Sequence, residues 1–288
     1  MVKTTIGYIF HGLKLSDEDK DFIRLAKKKN INFLLFNLSE EISEKEIEKK
    51  AKKCDLIFNN TAGYLALELL KTFEELGVKT IDKSKVFYYT EDKWMFYLKC
   101  KEHNIPTPDT ILLPVNLNAA KADLEKFNNW PVILKRVNGE QGEFVEKADN
   151  KKQAVELIKK FWENGKEKLP IIAQEFVKSP SYRLTIVDGK IVQTALKDGH
   201  GWKATAVYAE KVGKFQPDSK LIDLAKRITK ISGIKICGLD FLKKGDNWLV
   251  VDINAEPSFE FFEDEMEKLI GIVLDFLKKY AKPTYAGS

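Results

Sequence analysis

At 288 residues, 44% apolar and 32% charged, the chain has the make-up of a globular protein with room for about two or three lobes. No apolar run approaches the roughly 20 residues that span a bilayer. The N-terminus lacks a signal-peptide profile and reads as a first strand. The formal charge of +5 is dispersed over Lys/Glu-rich helices, as on a solvated surface, so neither membrane nor nucleic acid is expected as a partner. Cys54, Cys100 and Cys237 are odd in number, far apart and outside any C-x-x-C spacing, which fits reduced thiols in a cytoplasmic protein.

In chain order, the segment from Thr4 to His11 is apolar and β-branched, and Ser16-Asp17-Glu18-Asp19 caps a helix running to about Lys29. A strand from Ile31 to Asn37, a helix from Glu44 to Lys53 and a strand from Asp55 to Asn59 follow. Ala62, Leu65, Ala66, Leu69, Leu70, Phe73 and Leu76 form an i, i+3, i+4, i+7 stripe on a helix ending at Gly77. With a strand from Val78 to Ile81, this βαβα order predicts a covered, mainly parallel sheet. A second lobe begins with a helix from Glu91 to His103, stopped by Pro106-Thr107-Pro108. It continues with a strand (Thr110 to Leu113), a helix (Asn118 to Phe127), a strand (Pro131 to Arg136), a glycine-bearing turn and a helix (Lys151 to Asn164). A third lobe runs Ile171 to Lys178, Tyr182 to Val187 and Lys190 to Leu196, the last two joined by the hairpin dipeptide Asp188-Gly189. A polar loop around Gly199 to Lys203, a helix from Ser219 to Ser232, two acid-bearing strands and a final helix from about Glu263 to Tyr280 complete it.

The acid-bearing strands carry Asp240, Asp252 and Asn254, joined through the turn Lys244-Gly245-Asp246-Asn247. Apolar residues flank all three, and a carboxylate on a buried strand is costly unless a metal or cation pairs with it. Asp252 and Asn254 share a strand face, and Asp240 can join them from the neighbouring strand. Three hard oxygen ligands of this kind suit Mg²⁺ with phosphate and water. Lys135 leaves an apolar strand just before the Gly139 and Gly142 turn, where an ammonium and exposed N–H groups can bind phosphates; a hairpin with a polar tip and a surface lysine is the competing reading. The turn matches neither the Walker A nor the Rossmann pattern. Ile171 to Lys178 can present backbone groups near Glu175 to Val177 to an adenine edge, or be an ordinary edge strand. Arg183, Lys197 and Lys203 are cations suited to a γ-phosphate, although each alone also reads as a surface residue. His11 ends the first strand, where open α/β sheets bind ligands, but a solvated or structural histidine is the favoured reading there. Phe259, Phe261 and Phe262 read as core, and Glu260 and Glu263 are weaker candidates for contacting an amine or metal.

The ordered combination resembles the ATP-grasp superfamily, most closely the RimK-like ligases that join glutamate or another amino acid to a carboxylate. The resemblance spans about Cys54 to Glu263. Leu70-Lys71-Thr72-Phe73-Glu74-Glu75-Leu76-Gly77-Val78 looks like the end of the family's first domain. Glu91-Asp92-Lys93 with His103-Asn104-Ile105-Pro106-Thr107-Pro108-Asp109-Thr110 is similar to its "D-K…G-I-P-x-P-x-T" block. Gly139-Glu140-Gln141-Gly142 lies close to "G-T-Q-G", and Val251-Asp252-Ile253-Asn254-Ala255-Glu256-Pro257 resembles "L-E-V-N-x-x-P". Departures are specific. Pro-Ser-Tyr182 stands where glycine and an acid are usual, and Phe144 replaces a glycine after the turn. Lys203 to Glu210 replaces "R-x-N-x-x-x-G-G" with lysine for arginine, threonine for asparagine and neither glycine. Arg and Lys are not equivalent in phosphate clamps, so an unusual substrate is expected.

The resemblance implies an α/β fold with α+β lobes: an N-terminal parallel α/β domain (1–90), a central ATP-grasp lid subdomain (91–170) and a C-terminal subdomain with an antiparallel sheet and the metal site (171–288). It implies that Lys93 and Lys135, with the Gly139, Gln141 and Gly142 turn, hold ATP phosphates. Gln174, Glu175, Phe176 and Val177 would line the adenine, mostly through backbone. Arg183, Lys197 and Lys203 would face the γ-phosphate and acyl phosphate, and Asp240, Asp252 and Asn254 would hold one or two Mg²⁺ ions, with Mn²⁺ as the alternative. The implied activity joins a small-molecule or peptide carboxylate to an amine, an amino acid such as glutamate, with ADP released. A small-molecule kinase on the same fold and an ATP-binding regulatory module without turnover are the alternatives. The pattern is compatible with a homodimer or a homotetramer.

Overall fold

The structure, a computed structural model, describes residues 3–40, 43–139, 143–163, 168–199, 202 and 211–282. Its first layer is a parallel four-stranded sheet in the order β2-β1-β3-β4, made of β1 (Thr4–Phe10), β2 (Ile31–Asn37), β3 (Leu56–Asn59) and β4 (Thr80–Ile81). Helices α1 (Asp17–Lys28), α2 (Glu44–Ala51) and α3 (Tyr64–Glu75) are the crossovers. The expected cap of α1 forms, and it is a capping box: Ser16 Oγ accepts from the Asp19 amide at 3.0 Å, and the Asp19 carboxylate accepts from the Ser16 amide at 3.0 Å. Alternate residues of β1 serve two cores. Ile6, Tyr8 and Phe10 pack with Phe22 and Leu25 of α1, while Ile9 packs with Leu70 and Phe73 of α3.

Helix α4 (Ser84–Thr90) is absent from the sequence reading. Its N-cap, Lys83, offers no side-chain acceptor. Instead Glu74, at the end of α3, accepts from the Ser84 amide at 2.8 Å and from the Ser84 and Thr80 hydroxyls at 2.6 Å each. The cap thus comes from a residue distant in sequence, and local pattern cannot reveal it. Helix α5 (Lys93–Glu102) follows, capped by Asp92.

The middle layer is an antiparallel sheet in the order β5-β8-β6-β7, from β5 (Thr110–Leu113), β6 (Val132–Arg136), β7 (Val145–Ala148) and β8 (Ile171–Glu175). Helices α6 (Leu117–Phe127) and α7 (Lys151–Glu163) cover it around Leu124, Leu134, Ile158 and Phe161. Sequence order groups β8 with the strands after it, but β8 pairs with β5 and β6. Its apolar run is buried throughout Ile171 to Gln174, as a strand with neighbours on both edges requires. The turn before β7 closes a β6–β7 hairpin.

The third layer is antiparallel, in the order β11-β10-β9-β12-β13. It comprises β9 (Ser181–Val187), β10 (Lys190–Asp198), β11 (Lys211–Gly213), β12 (Ile236–Lys244) and β13 (Asn247–Asn254). Asp188 and Gly189 both have positive φ, as the two-residue hairpin between β9 and β10 demands. Helix α8 (Ser219–Ser232) packs on one face, and Phe96 and Cys100 of α5 join that core rather than the middle one. Helix α9 (Glu263–Ala281) returns to the parallel sheet, where Leu269, Ile270, Val273, Leu274 and Leu277 complete the core of Tyr8 and Phe22. No helix among the described residues is long and apolar enough to cross a membrane.

Asp82 ties the first layer to the third. Its carboxylate accepts from the amides of Lys235 and Ile236 at 2.7 and 3.1 Å. Burial pushes its pKa up to about 7 against the pull of those amides and the Lys235 charge. Asp82→Ala strands two amides at the start of β12 and is expected to cost about 2–3 kcal/mol, read as a lower urea midpoint.

Candidate functional site

A cleft of about 420 Å³ opens between the middle and third sheets. Its third-sheet wall is set by strand pairing. Arg183 on β9 lies opposite Asp240 on β12, and Asp240 lies opposite Asp252 on β13, so the three share a face. Lys197 on β10 reaches the same face. Sequence alternation alone misplaces Asp252, because Trp248 and Val250 point into the core. A bulge at this point of the β12–β13 ladder leaves Val251 unopposed between Val250 and Asp252. The bulge reverses the parity, so Val251, Asp252 and Asn254 all line the cleft.

Asp240 accepts from Lys197 Nζ at 2.7 Å and from Arg183 Nη1 at 2.9 Å, one cation on each oxygen. Burial pushes its pKa up, but the Arg183 and Lys197 charges and their hydrogen bonds hold it below the ordinary carboxylate range. Arg183 and Lys197 are therefore not surface residues: they are 8% and 2% exposed. The ring of Phe261 lies 5.8 Å from the Arg183 guanidinium and 5.9 Å from the Lys197 ammonium, a placement its reading as core had missed. Phe259 is core, at 1% exposure. Gly238, which the sequence reading passed over, makes room for this arrangement. A Cβ there would lie 2.2 Å from Arg183 Nη2 and 2.5 Å from its Cζ and Nε.

The middle-sheet wall carries Lys135, Gln174, Glu175, Phe176 and Val177, with Ile133 and Val145 beside them and Leu242 and Val251 across the cleft. Lys135 Nζ donates to Gln174 Oε1 at 2.8 Å. Burial, with Lys93 nearby, lowers its pKa to about 8 despite the opposing pull of Asp252 and Asp240. Of the peptide amides expected to be open on β8, those of Glu175 and Phe176 already donate to the carbonyls of Asp109 and Pro131. The Glu175 side chain pairs with Lys244. Lys93 joins the walls: its amide donates to the Val137 carbonyl and its ammonium to the Gly139 carbonyl at 2.8 Å. Phe144, at φ 50°, stacks its ring 3.4 Å from the Arg136 guanidinium and meets Phe161 edge-on, fixing the hairpin's returning strand.

Gln141, Gly142 and Lys203 lie outside the described residues. His11, Glu260 and Glu263 are exposed and do not line the cleft. Ser181, Glu256 and Ser258 do line it and were missed. For Glu256 there was a signal, since it continues the two-residue spacing of Asp252 and Asn254. Two carboxylates and an amide oxygen on one face fit a hard divalent cation in donor chemistry. Asp252 is the better placed carboxylate, because Asp240 already carries two cations, whereas Asp252 Oδ1 accepts from the adjacent Ile253 amide. Among the described residues no group of three or more His, Cys, Asp and Glu side chains is arranged to hold a metal, and the trio reaches three only through Asn254.

A parallel α/β lobe followed by two antiparallel sheets that close on a cation-lined cleft is the ATP-grasp architecture. A RimK-domain ATP-grasp protein from Sphaerobacter thermophilus superposes with a TM-score of 0.76 at 14% identity, covering 95% of this chain and 99% of that one. D-alanine–D-alanine ligase from Bacillus anthracis, complexed with ATP, superposes with a TM-score of 0.73 at 16% identity, covering 96% and 97%. The family model of the RimK-like ATP-grasp domain matches residues 90–276, and the chain belongs to that family. Among curated relatives, a probable alpha-L-glutamate ligase of Histophilus somni is 24% identical over 261 residues, 88% of this chain and 84% of that protein. A coenzyme gamma-F420-2:alpha-L-glutamate ligase of Methanocaldococcus jannaschii is 28% identical over 228 residues, 75% of each.

Two outcomes test the geometry without any ligand. Acylation of Lys135 by an amine-selective reagent, followed residue by residue by mass spectrometry, should rise through pH 8 as the ammonium deprotonates, while exposed lysines respond about two units higher. Gly238→Ala should displace the Arg183 guanidinium and lower stability by about 1–3 kcal/mol in thermal or urea unfolding.

Proposed function

We propose that the protein is an ATP- and Mg²⁺-dependent ligase that joins a carboxylate to an amine, with an amino acid such as glutamate as the amine substrate. The observation that carries the reading is the arrangement of four cations, Lys93, Lys135, Arg183 and Lys197, along one cleft that ends at Asp240, Asp252 and Asn254. Membership of the RimK-like ATP-grasp family and the glutamate-ligase names of the relatives support it.

In this reading the purine lies between Ile133, Val145, Leu242 and Val251. With the Glu175 and Phe176 amides spent, Val177 and the carbonyls of the strand end would meet its edge. Lys93 and Lys135 bind the phosphates, and Arg183 and Lys197 face the transferred phosphoryl group. A substrate carboxylate oxygen attacks the γ-phosphorus, and the bond to the β–γ bridging oxygen breaks with its electron pair leaving on ADP. The amine nitrogen then attacks the acyl carbon. The tetrahedral intermediate expels phosphate, and the nitrogen loses its proton to give the amide. Fixed cations offset the charge that builds on the phosphoryl and acyl oxygens, and their burial makes each worth more than in water. Asp252, Asn254 and Asp240 would hold Mg²⁺, which when bound neutralises phosphate charge. The β6–β7 hairpin is the segment suited to exclude water from the acyl phosphate.

The test is ADP release across panels of amino acids and dicarboxylates, with the product identified by mass spectrometry. Release should require both a carboxylate and an amine, and Asp252→Ala should lower turnover by about 100-fold or more. Undiminished turnover in that variant overturns the metal assignment. A stable phosphorylated product formed without an amine replaces the ligase reading with a kinase. Tight ATP binding with no ADP release on any panel replaces it with a nucleotide-sensing module.

A further inference from the structure

We infer that Thr110, which lies behind the cleft rather than in it, is a positioning residue that aims the Lys135 ammonium through Gln174. The inference rests on the reading of the cleft as an ATP site. Three hydrogen bonds form a chain: Lys135 Nζ to Gln174 Oε1 at 2.8 Å, Gln174 Nε2 to Thr110 Oγ1 at 3.0 Å, and Thr110 Oγ1 to the Pro108 carbonyl at 3.0 Å. Chemistry fixes its direction. An ammonium can only donate, so the amide oxygen must face Lys135. The amide NH₂ then points the other way and needs an acceptor. The Thr110 hydroxyl offers a lone pair because its hydrogen is committed to the Pro108 carbonyl, which can only accept.

Strand pairing supports the same chain, since Thr110 on β5 is directly opposite Gln174 on β8, and Ile133 on β6 faces Gln174 from the other side. Thr110 and Gln174 are 5% and 6% exposed, so water is poorly placed to substitute for either partner. Turned the other way, the amide would set its NH₂ against a cation, and its oxygen would gain a donor at Thr110 only by taking the hydroxyl from the Pro108 carbonyl. The hydroxyl therefore selects one amide orientation, and that orientation gives the lysine an acceptor at a fixed point of the wall. The Gln174 side chain is thus engaged with Lys135, and the residue lines the cleft beside it.

Thr110→Val keeps the side-chain shape and removes the hydroxyl, whereas Thr110→Ser keeps the hydroxyl. The Val variant should weaken ATP binding by about 5- to 20-fold, with KM for ATP raised and kcat nearly unchanged, and the Ser variant should restore both. In nucleotide-free protein at pH 8, acylation of Lys135 relative to exposed lysines should change about threefold or more in the Val variant and not in the Ser variant. Unchanged Lys135 reactivity and ATP affinity in Thr110→Val overturn the inference, as does a Ser variant as impaired as the Val one. Lys135 reactivity that follows this pattern in a protein unable to bind ATP upholds the relay while refuting the ATP reading. Normal ATP binding with no response at Lys135 does the reverse.

Discussion

A single carboxylate, Asp240, holds two cations on a sheet face, and most of the cleft follows from that constraint. Removing Arg183, Lys197 and Asp240 from bulk water is costly, and the cost is offset only when each charge meets a partner at hydrogen-bond distance. The 2.7 and 2.9 Å contacts meet that condition, one cation per carboxylate oxygen. The three groups carry one formal positive charge in excess, and Asp252, opposite Asp240 on the same face, stands against it. Gly238 belongs to the same constraint, for the guanidinium occupies the space that any Cβ at that position would take.

The second requirement is that this polar face be built on a sheet whose other face is a core. Leu184, Leu239, Phe241, Val250 and Ile253 pack with α8 and α5 on the far side. Strict alternation through Trp248 and Val250 would send Asp252 into that core as an unpaired charge. The bulge at Val251 resolves the conflict by moving the register one residue, after which Ile253 returns to the core and Asn254 to the cleft. A local irregularity in one strand thereby brings the carboxylates of two strands to one place.

The sequence was most legible where the signal is local. The α1 cap, the Asp188-Gly189 turn and the spacing of Asp252 and Asn254 are short-range features, and each appears in the structure. What escaped was held by residues far apart in the chain. Helix α4 depends on Glu74, β8 depends on partners on both edges, and the depth of Arg183 and Lys197 depends on Asp240, 57 and 43 positions away. The return of α9 to the first layer is likewise invisible locally, because an amphipathic stripe says that a face is buried but not against what. The roles of Gly238 and Thr110 are of the same kind. A glycine before an acid and a threonine after a proline carry no chemistry until a neighbouring strand brings the guanidinium or the amide beside them.

The cations of the cleft are divided between two packing units, and this division bears on how the cleft responds to its contents. Lys135 belongs to the middle sheet, whose core is built by α6 and α7, whereas Arg183 and Lys197 belong to the third sheet. Lys93 stands at the seam, on a helix packed into the third-sheet core but bonded to the Val137 and Gly139 carbonyls of the middle-sheet hairpin. Lys93 already lowers the pKa of Lys135, a sign that the two charges repel across that seam. Asp252 and Asp240 on the facing wall act the other way and raise that pKa, Asp252 the more strongly of the two. A phosphate chain in the proposed site would meet Lys93 and Lys135 from one side and Arg183 and Lys197 from the other. On the proposed reading, selectivity for a phosphate chain then lies in charge placement on two separately packed walls.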